Sequence, residues 1–141
     1  MNLCVIIIKN IIAMSYYFSK KLTSGWDDTK TKVTEALKNE GFGILTEINI
    51  KETFKKKLDV DFRPYLILGA CNPNFAFKAL SAEKNIGTLL PCNVVMQQNE
   101  DGMIEVSVIN PVVSMQAVVN HDLENLALEV SARLKRVIES L

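Results

Sequence analysis

The chain is 141 residues long; 48% of its residues are hydrophobic and 23% are charged. This length fits one domain with one hydrophobic core, and this composition excludes a disordered or collagen-like protein. Sixteen basic and sixteen acidic side chains cancel to a formal net charge of zero. The chain therefore lacks the long-range field that draws in nucleic acid or an anionic membrane, and we expect neither as a partner.

The apolar N-terminal segment 3–13 is interrupted by Lys9 and Asn10. It is too short for a membrane span, which needs about 20 apolar residues, and no basic region precedes it as in a secretory signal. The sequence favours a true start at Met14, with residues 1–13 as a mis-assigned or disordered extension. An extra element packed on the core, or a membrane anchor, stays open as an alternative. The predicted domain spans 14–141.

The first elements are a strand and a helix. Residues 16–22 are aromatic-rich and end at a turn signal, so they predict a strand. Apolar residues then recur at helical spacing, with Ser24 placed to cap the helix and Gly41 placed to end it in the left-handed conformation.

From 43 to 50 the hydrophobic period changes to two, which predicts a strand with one buried face. The buried face carries Ile44, Ile48 and Ile50, and the other face carries Leu45, Glu47 and Asn49.

A short basic helix is expected over 51–58. Phe54 and Leu58 stand four residues apart and would hold it on the sheet. Its four lysines, Lys51, Lys55, Lys56 and Lys57, are best interpreted as a solvated surface.

Residues 65–70 are apolar at both alternating positions, which predicts a central strand covered on both sides. Asn72 and Pro73 then carry the signal for a helix start, with Asn72 as the N-cap and Pro73 in the first turn.

The second half predicts a hairpin and a final helix. Runs 89–98 and 103–109 are strand-like, and the turn between them ends in Asp-Gly. The last helix is expected to start near Asn120, and an apolar stripe from Leu123 to Leu141 predicts it. The order of strands and helices indicates an α+β fold with helices packed on a mainly antiparallel sheet.

Several kinds of site are poorly supported. The chain has no zinc-protease, nucleophile-elbow or P-loop signature, and its single histidine, His121, is expected to be a solvated residue at a helix start. The three cysteines, Cys4, Cys71 and Cys92, have no C-x-x-C spacing, which fits a reducing cytoplasm. The sequence predicts neither a metal site nor a cofactor.

The candidate site lies where two Cys-Asn pairs stand beside prolines. One segment is Cys71-Asn72-Pro73 and the other is Pro91-Cys92-Asn93. A thiol just before a helix start feels the positive end of the helix dipole, so we expect a lowered pKa at Cys71. Cys92 lies on the same strand face as residues that are expected to be buried, so we expect its side chain to be buried as well. Structural thiols, a ligand pocket, and redox or metal chemistry stay open.

Four polar residues join the two thiols in the candidate site. In a ligand site Asn72 and Asn93 would fix polar groups, but a helix cap at Asn72 and a local turn bond at Asn93 are the favoured interpretation. Tyr65 would wall the pocket. Glu47 lies on the face of its strand opposite the isoleucines, where a solvated position is the default and a place in the site lining is the alternative.

Three blocks together resemble a known family. They are 41–48 (Gly-Phe-Gly-Ile-Leu-Thr-Glu-Ile), 65–73 around Gly-Ala-Cys-Asn-Pro, and 87–95 around Leu-Pro-Cys-Asn-Val. The chain is similar to the bacterial and archaeal domain of unknown function 302. The resemblance covers 14–141 and implies an α+β fold like the half-saddle of TATA-binding protein, a dimer, and no known activity. Asn49 and Phe77 depart from acidic and histidine positions of the family, which argues against a metal.

Two functional hypotheses follow. The first is a cytoplasmic, dimeric, non-enzymatic module that binds a small ligand or a partner at the junction of the two Cys-Asn segments. The second is a thiol-dependent enzyme or redox sensor, with Cys71 as the nucleophile and Cys92 as the resolving thiol. A purely structural or assembly role is the third alternative.

Overall fold

A computed structural model describes residues 15–141. The prediction of a start at Met14 and the apolar segment 3–13 lie outside the described residues. Five strands form one antiparallel sheet in the order β1-β5-β4-β3-β2. The strands are β1 (Tyr17–Leu22), β2 (Gly43–Asn49), β3 (Tyr65–Cys71), β4 (Cys92–Gln98) and β5 (Ile104–Ile109).

Among residues 15–141, three α-helices and one 3-10 helix lie between strands, and two further α-helices follow β5. The α-helices are α1 (Trp26–Asn39), α2 (Ile50–Leu58), α3 (Pro73–Ala82), α4 (Pro111–Ser114) and α5 (His121–Glu139), and the 3-10 helix is Ile86–Leu89. The long helices α1 and α5 pack on one face of the sheet and bury a continuous core with it. The α+β prediction is confirmed, and the predicted elements occur in the predicted order, with the 3-10 helix and α4 in addition. The half-saddle topology stays a prediction.

Asparagine begins four of the helices in the described part of the chain. The side-chain oxygens of Asn49, Asn72, Asn110 and Asn120 accept hydrogen bonds from backbone N–H groups in the first turns of α2, α3, α4 and α5. The predicted cap at Asn72 is therefore confirmed. Helix α4 was not predicted, although Asn110-Pro111 repeats the Asn-Pro signal of Asn72-Pro73.

Helix α1 begins one residue later than predicted. Gly25, in extended conformation, is its N-cap, and Ser24 instead places its Oγ 2.7 Å from Thr29 Oγ1. The prediction of a Ser24 cap is wrong because the hydroxyl is taken by a buried threonine. Gly41 ends the helical segment as predicted, with φ of +86°.

Strand β2 does not have the single buried face that was predicted. A bulge between Ile44 and Thr46 shifts the register, so that Ile44 pairs with Ala70 on the helix side while Ile48 pairs with Ile67 on the opposite side. Ile48 is 48% exposed as a result. Ile50 lies beyond the strand, at the start of α2.

Two predictions of burial are also wrong. Leu58 of α2 is 65% exposed and does not hold the helix, whereas Phe54 stacks edge-on against Phe62 with ring centroids 5.1 Å apart. Strand β3 is an interior strand, but only its helix-side residues are fully buried together with Gly69, and Tyr65 and Ile67 on the other face are half-buried.

The structure of the C-terminal half agrees closely with the predicted hairpin and last helix. The hairpin joins β4 and β5 through a turn in which Gly102 has φ of +82°, and the last helix carries its apolar stripe into the core. Strand β4 begins at Cys92 rather than at 89, because Ile86–Leu89 forms the 3-10 helix. His121 and the four lysines of α2 are exposed, as predicted.

Candidate functional site

A cavity of about 300 Å³ lies at the junction of the two Cys-Asn segments. It opens between the ends of β3 and β4 and the helices α3, α4 and α5. Its walls are almost entirely apolar and include Phe42, Ala70, Phe75, Ala79, Leu90, Pro91, Met115, Leu126 and Val130.

The cavity forms where two buried clusters meet. Phe42, Ala70 and Phe75 belong to the main core, whereas Leu90 and Met115 pack on a smaller cluster around Ala79, Ile86 and Leu123. The space between the two clusters stays open because Ala70 and Ala79 form its walls, where larger side chains would occupy it. The cavity therefore results from incomplete contact between the two clusters.

Three polar residues of the candidate site face this cavity. Cys71 ends β3, Asn72 caps α3 and Cys92 begins β4, and all three line the walls. The amide oxygen of Asn72 accepts a hydrogen bond from the backbone N–H of Phe75 at 3.4 Å, so it is already committed. The two sulfurs and the side-chain nitrogen of Asn72 are the remaining polar side-chain atoms that these residues contribute.

The thiols differ from the expectation. Burial raises the pKa of the Cys71 thiol, and burial together with the neighbouring Cys71 raises the pKa of Cys92 to about 11. The prediction of a lowered pKa at Cys71 is therefore wrong: Cys71 is the last residue of β3, before the cap, and its burial disfavours the charged thiolate. Cys71 and Cys92 form no disulfide. Both favour the neutral thiol at pH 7.

The other candidate residues lie elsewhere. Tyr65 and Asn93 are on the opposite face of the sheet, where they line a shallow groove with Tyr17, Gln97 and Glu105. Glu47 faces the helix side after the bulge and makes an ion pair with Lys30 at 3.0 Å. The structure thus divides the seven predicted site residues among several places, with Cys71, Asn72 and Cys92 together at the cavity.

Pro73 lies in a second, more polar place. It is exposed and lines a depression beside the cavity together with Asn74, Lys78, Glu129 and Arg133. Sequence reasoning missed Arg133, because the last helix was interpreted through its apolar stripe. It also missed the walls from α4, for which Asn110-Pro111 was the available signal.

The described residues contain neither a group of metal ligands nor a membrane-spanning helix. Among residues 15–141, no three histidine, cysteine or acidic side chains lie close enough to hold a metal ion. Over the same range, none of the helices has both the length and the apolar character needed to cross a bilayer. Asn49 and Phe77, the two departures from the family pattern, are a helix cap and a side chain that is 75% exposed.

Comparisons with known proteins agree on one family. The model of the domain of unknown function DUF302 matches residues 18–141. The crystal structure of an uncharacterised conserved protein DUF302 from Bacillus stearothermophilus is similar to this chain, with a TM-score of 0.83 and 26% sequence identity. The match covers 90% of this chain and 98% of that one. No curated protein matches significantly. This chain belongs to the DUF302 family.

Proposed function

We propose that this protein is a non-enzymatic binding module that holds a small, mainly apolar molecule in the cavity beside Cys71 and Cys92. The observation that carries the proposal is the cavity itself, whose volume of about 300 Å³ is at the lower end for small-molecule sites. An apolar ligand gains about 0.8 kcal/mol for each methylene that it buries there.

The chemistry of the walls favours binding over catalysis. A thiol-dependent enzyme needs a thiolate near neutral pH, whereas burial raises the pKa of both Cys71 and Cys92. Asn72, the other polar wall residue of the predicted site, already caps α3. The thiol-dependent alternative therefore has less support than the binding module, and a direct titration of the Cys71 thiol tests it.

A cytoplasmic location and a homodimer belong to the same proposal, and both rest on the sequence. The location follows from the sparse cysteines, and the dimer follows from the family resemblance. Native mass spectrometry of freshly purified full-length protein measures the oligomeric state and any bound ligand together. A dimer mass with an excess that disappears on denaturation supports the module, and the excess gives the mass of the ligand.

Thermal unfolding with decan-1-ol tests the cavity directly. A ligand that binds only the folded state stabilises it by RT ln(1 + [L]/Kd), so we expect the midpoint to rise with the decan-1-ol concentration. Ala79, which is 4% exposed, is a wall of the cavity, and Ala79→Leu adds three carbons to that wall. We expect this variant to respond much less to decan-1-ol.

The control is Ala132→Leu, the same substitution at an exposed position of α5 that does not line the cavity. It is expected to respond as the wild type does. The proposal fails if the wild-type midpoint is insensitive to decan-1-ol, or if Ala79→Leu responds as strongly as the control variant.

A further inference from the structure

A basic depression adjoins the apolar cavity. We define it by the charged residues that line it, Lys78 of α3 and Glu129 and Arg133 of α5. Two further residues, Asn72 and Phe75, line both the depression and the cavity. One molecule that extends past these two shared side chains would therefore contact apolar walls at one end and charged groups at the other.

Arg133 connects the two places physically. Its guanidinium carbon lies 5.2 Å from the centre of the Phe75 ring, and that ring is also a wall of the cavity. Its Nη1 donates to the carbonyl oxygen of Glu40 at 3.2 Å, and its Nη2 lies 3.6 Å from Glu129 Oε1. Its Nε is buried and has no acceptor among the described residues. A guanidinium carries five N–H donors, so these contacts leave donors for a further acceptor.

The charges of the depression are unbalanced. Lys78 makes no ion pair with any described residue, so Lys78 and Arg133 together face the single carboxylate of Glu129. The nearby carboxylate of Glu40 is engaged elsewhere, because Arg136 donates to its two oxygens at 3.0 and 3.1 Å. An anionic group in the depression would meet a net positive charge.

We propose that the ligand is an amphipathic acid, with an apolar chain in the cavity and a carboxylate in the basic depression near Arg133 and Lys78. This inference rests on the proposed function, since it names the class of molecule that the cavity binds. A cavity of about 300 Å³ holds on the order of ten non-hydrogen atoms when each takes the roughly 30 Å³ of a liquid water molecule. A medium-chain carboxylic acid has this size and this charge.

The test compares decanoate with decan-1-ol, which have the same chain length and differ in the head group. Calorimetric titration of the full-length protein measures both affinities for the wild type and for Arg133→Gln. We expect Arg133→Gln to weaken decanoate binding roughly tenfold, the size of a charge-assisted bond at a partly exposed site, and to change decan-1-ol binding less than about twofold.

Two further variants complete the design. Lys135→Gln removes the same charge from an exposed position of α5 outside the depression, and it is expected to leave both affinities unchanged. Lys78→Gln alters an exposed side chain and keeps the test valid if Arg133→Gln fails to fold. It is expected to weaken decanoate binding about twofold to threefold and to spare decan-1-ol.

The outcomes separate the two proposals. If both probes bind and neither Arg133→Gln nor Lys78→Gln changes their relative affinity, the amphipathic acid is refuted while the cavity remains a binding site. An equal loss of decanoate affinity in Lys135→Gln also refutes it, since total charge then explains the effect. If neither probe binds the wild type, the proposed function itself is overturned.

Discussion

Replacing Gly69 by alanine tests how tightly β3 packs against its neighbours. A Cβ at this position would overlap Thr46 Oγ1 and would lie 2.8 Å from Pro91 Cγ. The threonine hydroxyl can rotate away, but the proline ring is fixed at the start of an interior strand. Forcing a carbon into such a space costs typically 1–3 kcal/mol, so we expect the free energy of unfolding to fall by about 2 kcal/mol.

Urea unfolding followed by circular dichroism measures this change, because the midpoint shifts while the slope stays constant in a two-state protein. Gly43→Ala is the matched control: it adds the same atom to the adjacent strand, where a Cβ meets nothing within 4 Å. It should change stability by no more than about 0.5 kcal/mol. Adding Thr46→Ala to Gly69→Ala should recover part of the loss. Equal midpoints for Gly69→Ala and Gly43→Ala would refute the packing argument.

Three further predictions concern buried or paired polar groups. Asn110 is 5% exposed and its oxygen accepts from Ser131 Oγ at 2.9 Å, so Asn110→Ala should cost about 2–3 kcal/mol in urea unfolding; a loss below about 0.5 kcal/mol would contradict this. Burial raises the pKa of Cys92 from 9.0 to about 11. The stability that the neutral Cys92 thiol contributes to the folded state is therefore complete below pH 9 and is lost toward pH 11. Wild-type stability should therefore fall over that interval by up to about 2–3 kcal/mol more than that of Cys92→Ala, and parallel curves would argue against it. The hydrogen bond from Arg136 lowers the pKa of Glu40, which stabilises the fold above the ordinary carboxyl pKa of about 4.3 and less as the pH falls through the lowered value. Glu40→Gln should thus be destabilised at pH 7 and match the wild type in strong acid; a pH-independent difference would exclude the ion pair as the cause.

The sequence predicted most of the elements because their signals are local. Helix caps and stops such as Asn72, Asn120 and Gly41 act within one turn, and the Asp-Gly hairpin acts within four residues. The β2 bulge is different. Alternation along 43–50 shows no break, and the shift occurs where Thr46 pairs with the glycine of β3, a contact between residues far apart in the chain.

The candidate site could be predicted in part. The two Cys-Asn segments meet at the ends of neighbouring strands, which their order in the chain indicates, and this places Cys71 and Cys92 at one cavity. The sequence alone also allows the prediction that Asn93 and Cys92 lie on opposite faces of the sheet, because adjacent strand residues point to opposite faces. The place of Arg133 beside the site could not be predicted from the sequence, since its position against Phe75 depends on how α3 and α5 pack.

The four asparagine caps have a consequence for behaviour in acid. An aspartate cap is protonated at low pH and then loses its charge-assisted bond to the helix, whereas an amide oxygen does not titrate in that range. Asn49, Asn72, Asn110 and Asn120 therefore hold four helix starts equally well on both sides of the carboxyl pKa. Each such cap contributes typically about 1 kcal/mol. Protonation therefore leaves these four cap bonds in place, whereas carboxylate pairs such as Glu40 with Arg136 lose their charge in acid.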